Sequence, residues 1–339
     1  MNKYSIKYTD DTDFSYAVGR VRALEKKMIP YKVFYQLADS KIDEIKKILA
    51  ESGYDFDKIE ESIRNDVVAI NEWVNKILNL NKNYEILKNI YLFYYDIENI
   101  KNFIKLKKSD IKKIGYKIKF NYYAGLTEEK LISIIDKNEL VNNKYKEIVL
   151  NYTQKALSES SQAVIEYLID KMYLEIVYKI LKDLKIDFFL YWFENYINIL
   201  NLKNLVRFKL IDESVETFKQ FFFNYGEKII SLRDFIEIYN RKLEELPIAF
   251  ESREFYYVVK EGIEDFIKNK RIFLFEKLCD DYILNIAEKG KMLSFGIEPI
   301  FCFLYGKTIE YKNILILCNS KKLNLKSDKI KEILRKTYV

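Results

Sequence analysis

Two clusters of carboxylates are the first candidates for chemistry. Asp10-Asp11-Thr12-Asp13 and Asp280-Asp281 have the composition of magnesium ligands, and a helical chain with aromatic walls could hold such acids against a diphosphate. An aspartate-rich DDxxD helix needs a further carboxylate, and Leu284 stands where it is required. The 10–13 cluster precedes the first helical pattern and reads as a polar segment or cap. Histidine is absent, which removes the usual general base near neutrality, the commonest metal ligand and the Ser-His-Asp and Cys-His arrangements. Cys279, Cys302 and Cys318 form no CxxC pair and lie in apolar helical contexts, so they read as buried thiols of a reducing compartment. There is no GxGxxG, P-loop or nucleophile elbow. No catalytic residue, metal or cofactor is expected.

The segment KNFIKLKKSDIKKIGYKIK (101–119) carries eight lysines and one acid. Such a stripe with interleaved aromatics could follow a phosphate backbone, and a free-standing helical scaffold or RNA-binding protein is the alternative reading of the chain. A solvated helix face explains the run more simply. The net charge of +6 is small for a dedicated RNA binder of 339 residues, and no RRM or KH signature is present. No nucleic-acid partner is expected.

The elements around these residues read as helices throughout. Apolar residues make up 49% of the chain, and only 9 Gly and 3 Pro interrupt it, so long helices and a well-buried core are expected. SKIDEIKKILAESG (40–53) places Ile42, Ile45, Ile48 and Leu49 on one stripe, with Ser40 and Asp43 as a capping box and Gly53 as C-cap. TEEKLISIID (127–136) opens on Thr127, and SLRDFIEIYNRKLEEL (231–246) opens on Ser231 with Asp234 and stops at Pro247. SDKIKEILRKTY (327–338) reads as a last helix. No strand pattern of useful length occurs, and the fold class is all-α. The opening MNKYSIKYTDDTDF has no apolar core and carries acids early, so a secretory signal is not expected. No apolar run reaches the roughly 18 residues a membrane span requires.

One unreactive phrase recurs three times: Asp96-x-x-Asn99, Asn198-x-x-Asn201 and Glu310-x-x-Asn313. The asparagines are 102 and 112 residues apart, and basic residues follow each one. IDKMYLEIV (169–177) and CDDYILNIA (279–287) add a second shared element 31 to 33 residues before the asparagine. This period suggests a triplicated helical module with units near 1–122, 123–227 and 228–339, and a compact pseudo-threefold body fits it better than a solenoid. Residues three apart share a helix face, so each pair lies beside an apolar row and can bond to a neighbouring helix or an unpaired backbone end. Left unpaired in a core, each group would cost about 1–3 kcal/mol. The acid position varies among Asp, Asn and Glu, which suits a structural register and not a shared metal or proton-transfer task.

Four segments in order resemble the C subunit of the V/A-type ATPases (the vacuolar/archaeal-type ATP synthases), a relative of the d subunit of the eukaryotic V-ATPase. They are FSYAVGRVRALEKKMI (14–29), with Phe14, Tyr16, Arg20 and Arg22; YYDIENIKNFIK and its copy at 198–209; FGIEPIFCFLYGKTIEYKNILILCNSKK (295–322), with Gly296, Glu298, Pro299, Tyr305, Glu310 and Asn313; and KIKEILRKTYV (329–339). Asn198 in place of an acid, and Gly306-Lys307 after Tyr305, depart from the family pattern. The resemblance implies a funnel-shaped body of three similar helical wedges with a central cavity. It implies a non-catalytic rotor component, single within a hetero-oligomeric complex at the cytoplasmic face of the membrane. Its expected partners are the D and F subunits of the central shaft and the proteolipid c-ring, with the membrane surface touched indirectly. Lys107, Lys108, Lys112 and Lys113 are the expected ring or membrane-surface contacts.

Overall fold

The computed structural model describes residues 6–9, 11–78, 85–108, 128–135 and 146–339, and all regular structure in them is helical. A 3-10 turn (Thr12–Phe14), N-capped by the Asp11 side chain, leads into α1 (Ser15–Glu25), α2 (Tyr31–Leu37), α3 (Ile42–Glu51) and α4 (Ile59–Leu78). The long helix α5 (Glu85–Lys108), α6 (Glu128–Ile135), α7 (Lys146–Ser158) and α8 (Gln162–Leu184) follow. Next come the second long helix α9 (Asp187–Leu210), α10 (Val215–Gln220), α11 (Leu232–Tyr239), α12 (Leu246–Ala249) and α13 (Tyr256–Asn269). The described chain closes with α14 (Phe273–Glu288), the third long helix α15 (Glu298–Lys322), α16 (Ser327–Ile333) and an extended segment, 334–339.

Local chemistry explains most of these boundaries. Ser231 accepts from the Asp234 N–H while the Asp234 carboxylate accepts from the Ser231 N–H, so the N-cap expected at Ser231 is a full capping box. That helix ends at Tyr239 and not at Pro247. Pro247 sits in the first turn of α12, where a missing N–H costs no hydrogen bond. α3 starts at Ile42 without a side-chain cap, because the Ser40 hydroxyl donates back to the Gln36 carbonyl. It buries Ile45 and Leu49, leaves Ile42 40% exposed, and stops before Gly53, whose φ of 92° suits a glycine. α16 covers only the first half of the helix expected over 327–338. Thr127, the expected cap of α6, lies outside the described residues.

The chain folds as two compact units, Met1–Val67 with Ile186–Val339, and Val68–Lys185. In the second unit α5 and α7 pack on α8, around Ile100, Phe103, Ile104, Val149, Ile169 and Met172. In the first unit α14 is sandwiched by α9, α13 and α15, and α1 and α2 lie along α15. Its core is dense in aromatics, with Trp192 edge-on to Phe301 and Tyr305 and Phe235 against Phe222 and Phe250. No helix among the described residues is long and apolar enough to cross a membrane.

Candidate functional site

The three repeated asparagines lie on the long helices, and all are buried: Asn99 and Asn313 fully, Asn201 to 1% exposure. Asn201 donates to the Phe223 carbonyl and accepts from the Phe223 N–H, at 2.8 and 2.9 Å. Asn313 does the same with the backbone of Arg335, also at 2.8 and 2.9 Å. In each copy the backbone partner lies 22 residues beyond the asparagine. A side-chain amide carries one donor and one acceptor side by side, so it satisfies a peptide N–H and C=O together, which no carboxylate could do. Asn121, 22 residues beyond Asn99, lies outside the described residues. Asn201→Ala is expected to lower the unfolding free energy by about 2–3 kcal/mol, and Asn313→Ala by less, because buried Phe223 cannot rehydrate and half-buried Arg335 can. Urea unfolding of both variants checks the order; equal losses would contradict it.

The residue three before each asparagine explains the varying acid. Asp96 is 5% exposed on α5. Asn198 is fully buried and donates to the carbonyls of Glu194 and Gly226 at 2.7 and 2.8 Å. Two carbonyls require a donor, so a carboxylate at this position would meet only lone pairs. Glu310 faces the opposite set: its Oε1 accepts from the Ile29 N–H at 2.6 Å, and its Oε2 from Tyr54 and Lys307. The departure from an acid at Asn198 therefore follows from its local partners.

A second repeated arrangement links acids to cations on the long helices. Lys101 of α5 bridges Asp170 at 2.7 Å and Glu166 at 2.9 Å on α8. Lys203 of α9 bridges Asp280 at 2.8 Å and Glu276 at 3.3 Å on α14. Each lysine lies two residues beyond its asparagine, and each acid pair is spaced by four. Lys307 of α15 bridges Asp66 of α4 at 2.8 Å, and Asp66 stands 33 residues before Asn99 as Asp280 stands 33 before Asn313. The shared aspartate of the sequence elements is thus the acceptor in these joints, and Asp66 is a member that the sequence reading missed. Its signal was present, since a Lys-x-x-Glu pair (Lys307, Glu310) in an apolar helix must find partners.

The electrostatics of the joints differ. Burial alone would raise Asp280, but Lys203 and Lys312 outweigh it and hold the carboxyl well below the usual range; Arg335 adds a third cation at 3.0 Å. Burial alone would lower Lys203, and Asp280 and Glu276 outweigh it and raise the ammonium. At Asp170 burial wins over Lys101 and pushes the carboxyl up. Tyr54, pressed between Glu310 and Asp66, is raised by burial and then by both charges.

Within these joints the acids and cations are engaged with one another. Burial pushes the thiols of Cys279, Cys302 and Cys318 up, the last to about 12, so thiolate is suppressed. Asp280 is consumed by cations, and Asp281 accepts from the Lys336 N–H at 2.7 Å. Among the described residues no three His, Cys, Asp or Glu gather as for a metal. A cleft of about 450 Å³ lined by Met28, Ile29, Val33 and Ile48 offers Lys26, Lys27, Glu51 and Ser52, whose side chains make no hydrogen bonds with one another. Lys107 lies over the Phe103 ring at 5.4 Å, and the Lys108 ammonium donates to the Glu159 carbonyl. Lys112 and Lys113 lie outside the described residues.

Known proteins resemble this chain over nearly its whole length. The sequence profile of the ATP synthase (C/AC39) subunit family matches residues 17–333. The chain belongs to that family. It is similar to the A-type ATP synthase C subunit of Methanocaldococcus jannaschii, 26% identical over 96% of this chain and 87% of the relative. The A-type ATP synthase C subunit of Methanococcoides burtonii is 25% identical over 97% and 96%, and that of Methanosarcina acetivorans 24% over 95% and 92%. As a member of the ATP synthase (C/AC39) family the chain is a structural, non-catalytic component of the complex. Gly306-Lys307, the local departure noted in the sequence, has a physical cause within this family member. Gly306 leaves room for the Tyr338 ring, and Lys307 holds Glu310 and Asp66.

Proposed function

We propose that the chain is the socket of an A-type ATP synthase rotor, joining the D and F subunits of the central shaft to the proteolipid c-ring on the cytoplasmic face of the membrane. Three units, near 1–122, 123–227 and 228–339, form its pseudo-threefold funnel around a central cavity. The observation that supports this reading is the succession of ionic joints. The first long helix reaches the acid of the second copy (Lys101 to Asp170), the second reaches the third (Lys203 to Asp280), and the third returns to the first (Lys307 to Asp66). A cyclic succession is what three copies closing about an axis require, and a socket between shaft and ring has to pass torque without deforming. The basic run from Lys107 and Lys108 through Lys112 and Lys113 contributes attachment to the ring or headgroup level.

The test is reconstitution. Complexes assembled without this chain are expected to hydrolyse ATP in the catalytic head yet move no ions, and adding the chain restores transport. Changing the four lysines to Gln should weaken attachment to the membrane sector at low salt and make little difference above about 0.5 M, where surface charges are screened. Full ATP-driven transport by complexes that lack the chain would defeat the proposal.

A further inference from the structure

The ends of the second and third long helices share a contact that the repeated phrase does not contain. Lys209 lies eight residues beyond Asn201, and Lys321 eight beyond Asn313. The Lys209 ammonium donates to the carbonyls of Tyr239 and Arg241 at 2.7 and 2.6 Å. The Lys321 ammonium donates to the carbonyls of Ala38 and Ser40, both at 2.8 Å. In each case the two acceptors are two residues apart and finish a short helix, α11 for Lys209 and α2 for Lys321. Both long helices then stop in the same way. Ile211 and Leu323 are exposed, Asp212 and Asn324 turn left-handed at φ 56° and 54°, and the next N–H returns to Phe208 or Ser320.

These lysines form no ion pair with a carboxylate among the described residues, and burial lowers both ammoniums. Their partners are the unpaired carbonyls at the negative end of a helix, which need donors and favour a cation. A carboxylate partner swings on its own rotatable bonds, whereas these acceptors belong to the backbone. An ammonium held by two such carbonyls fixes the direction of the helix end as well as its distance. In the sequence division, Lys209 crosses from the second unit to the third, and Lys321 from the third to the first.

We infer that Lys209 and Lys321 are positioning residues that fasten the end of one unit's long helix to the short helix of the next, and so set the stiffness with which the socket transmits rotation. The inference rests on the rotor reading proposed above. Lys107 occupies the same offset from Asn99, and residues 136–145, directly after α6, lie outside the described structure.

The test uses the full chain within the assembled complex. Lys209→Met with Lys321→Met removes both donors and keeps the aliphatic stems; Lys209→Arg with Lys321→Arg restores cationic donors. Amide exchange read by mass spectrometry should be about tenfold faster in the Met variant around 35–42 and 236–243, and unchanged in the α9 and α15 cores. At a temperature where circular dichroism shows the Met variant fully folded, ions moved per ATP hydrolysed should fall by about half, with recovery in the Arg variant. Unchanged exchange would show that the clamps do not hold the helix ends. Faster exchange with an unchanged ion-to-ATP ratio would reduce the lysines to local caps and overturn the inference. Failure of the rotor reading is told apart by the complex assembled without the chain, which would then transport ions normally.

Discussion

Lys307→Met is expected to cost about 3–5 kcal/mol of folding stability, the largest effect of any single change on α15. The Lys307 side chain is 8% exposed and is the cation shared by Glu310, 1% exposed, and Asp66. It also bonds the Tyr54 hydroxyl at 2.6 Å and lies over the rings of Tyr54 and Tyr311 at 5.4 and 4.9 Å. A methionine fills the volume but leaves two carboxylates about one tyrosine hydroxyl with no positive charge between them. Hydrogen bonds from Ile29, Tyr54 and Tyr311 persist, yet none neutralises a charge. A double change of Lys307 and Glu310 to Met should lose less than the sum of the single changes, since each removes the other's reason to be costly. Denaturant unfolding decides it; a loss under about 1 kcal/mol would mean that water reaches the cluster.

The second large effect concerns the extended segment after α16. Gly306→Ala would place a Cβ 2.5 Å from Tyr338 Cγ and 2.6 Å from its Cβ. These atoms belong to the base of the side chain, so the ring cannot rotate aside and the backbone of 334–339 has to move. Tyr338 is 1% exposed, its hydroxyl donates to Glu25 at 2.7 Å, and Lys291 covers its ring at 4.3 Å while bonding its carbonyl. Displacement would uncover an aromatic side chain and break these bonds, a loss of about 3 kcal/mol. Tyr338→Ala alone should cost a similar amount, and the two together little more than either, because both empty the same seat. Additive losses would show that Gly306 and Tyr338 act at separate places. Limited proteolysis gives an independent reading, since a displaced segment is cut while α15 stays protected.

How far the sequence reached is clearest at particular residues. Low glycine and proline content and helical spacing of apolar residues were enough for the fold class, because each depends on neighbours within a turn or two. The Ser231 N-cap and the stop at Gly53 were legible for the same reason. The break of α11 at Tyr239 was not, because nothing in 231–246 forbids a continuous helix; the chain turns there to reach its own packing partners.

The sequence by itself determined that this is a helical, histidine-free chain carrying one phrase three times beside apolar rows, with its cysteines in apolar contexts. It also carried the family resemblance, through four short segments in order. Only the tertiary structure decided what those residues hold: Asn201 and Asn313 each take a peptide unit 22 residues away, and Asn198 donates where Glu310 accepts. Lys307, a departure from the family pattern when read along the chain, is the centre of a buried network. The physical reason is that periodicity is a local property, whereas the partner of a buried polar group is chosen by every helix that reaches the same volume, from elements far apart in the chain.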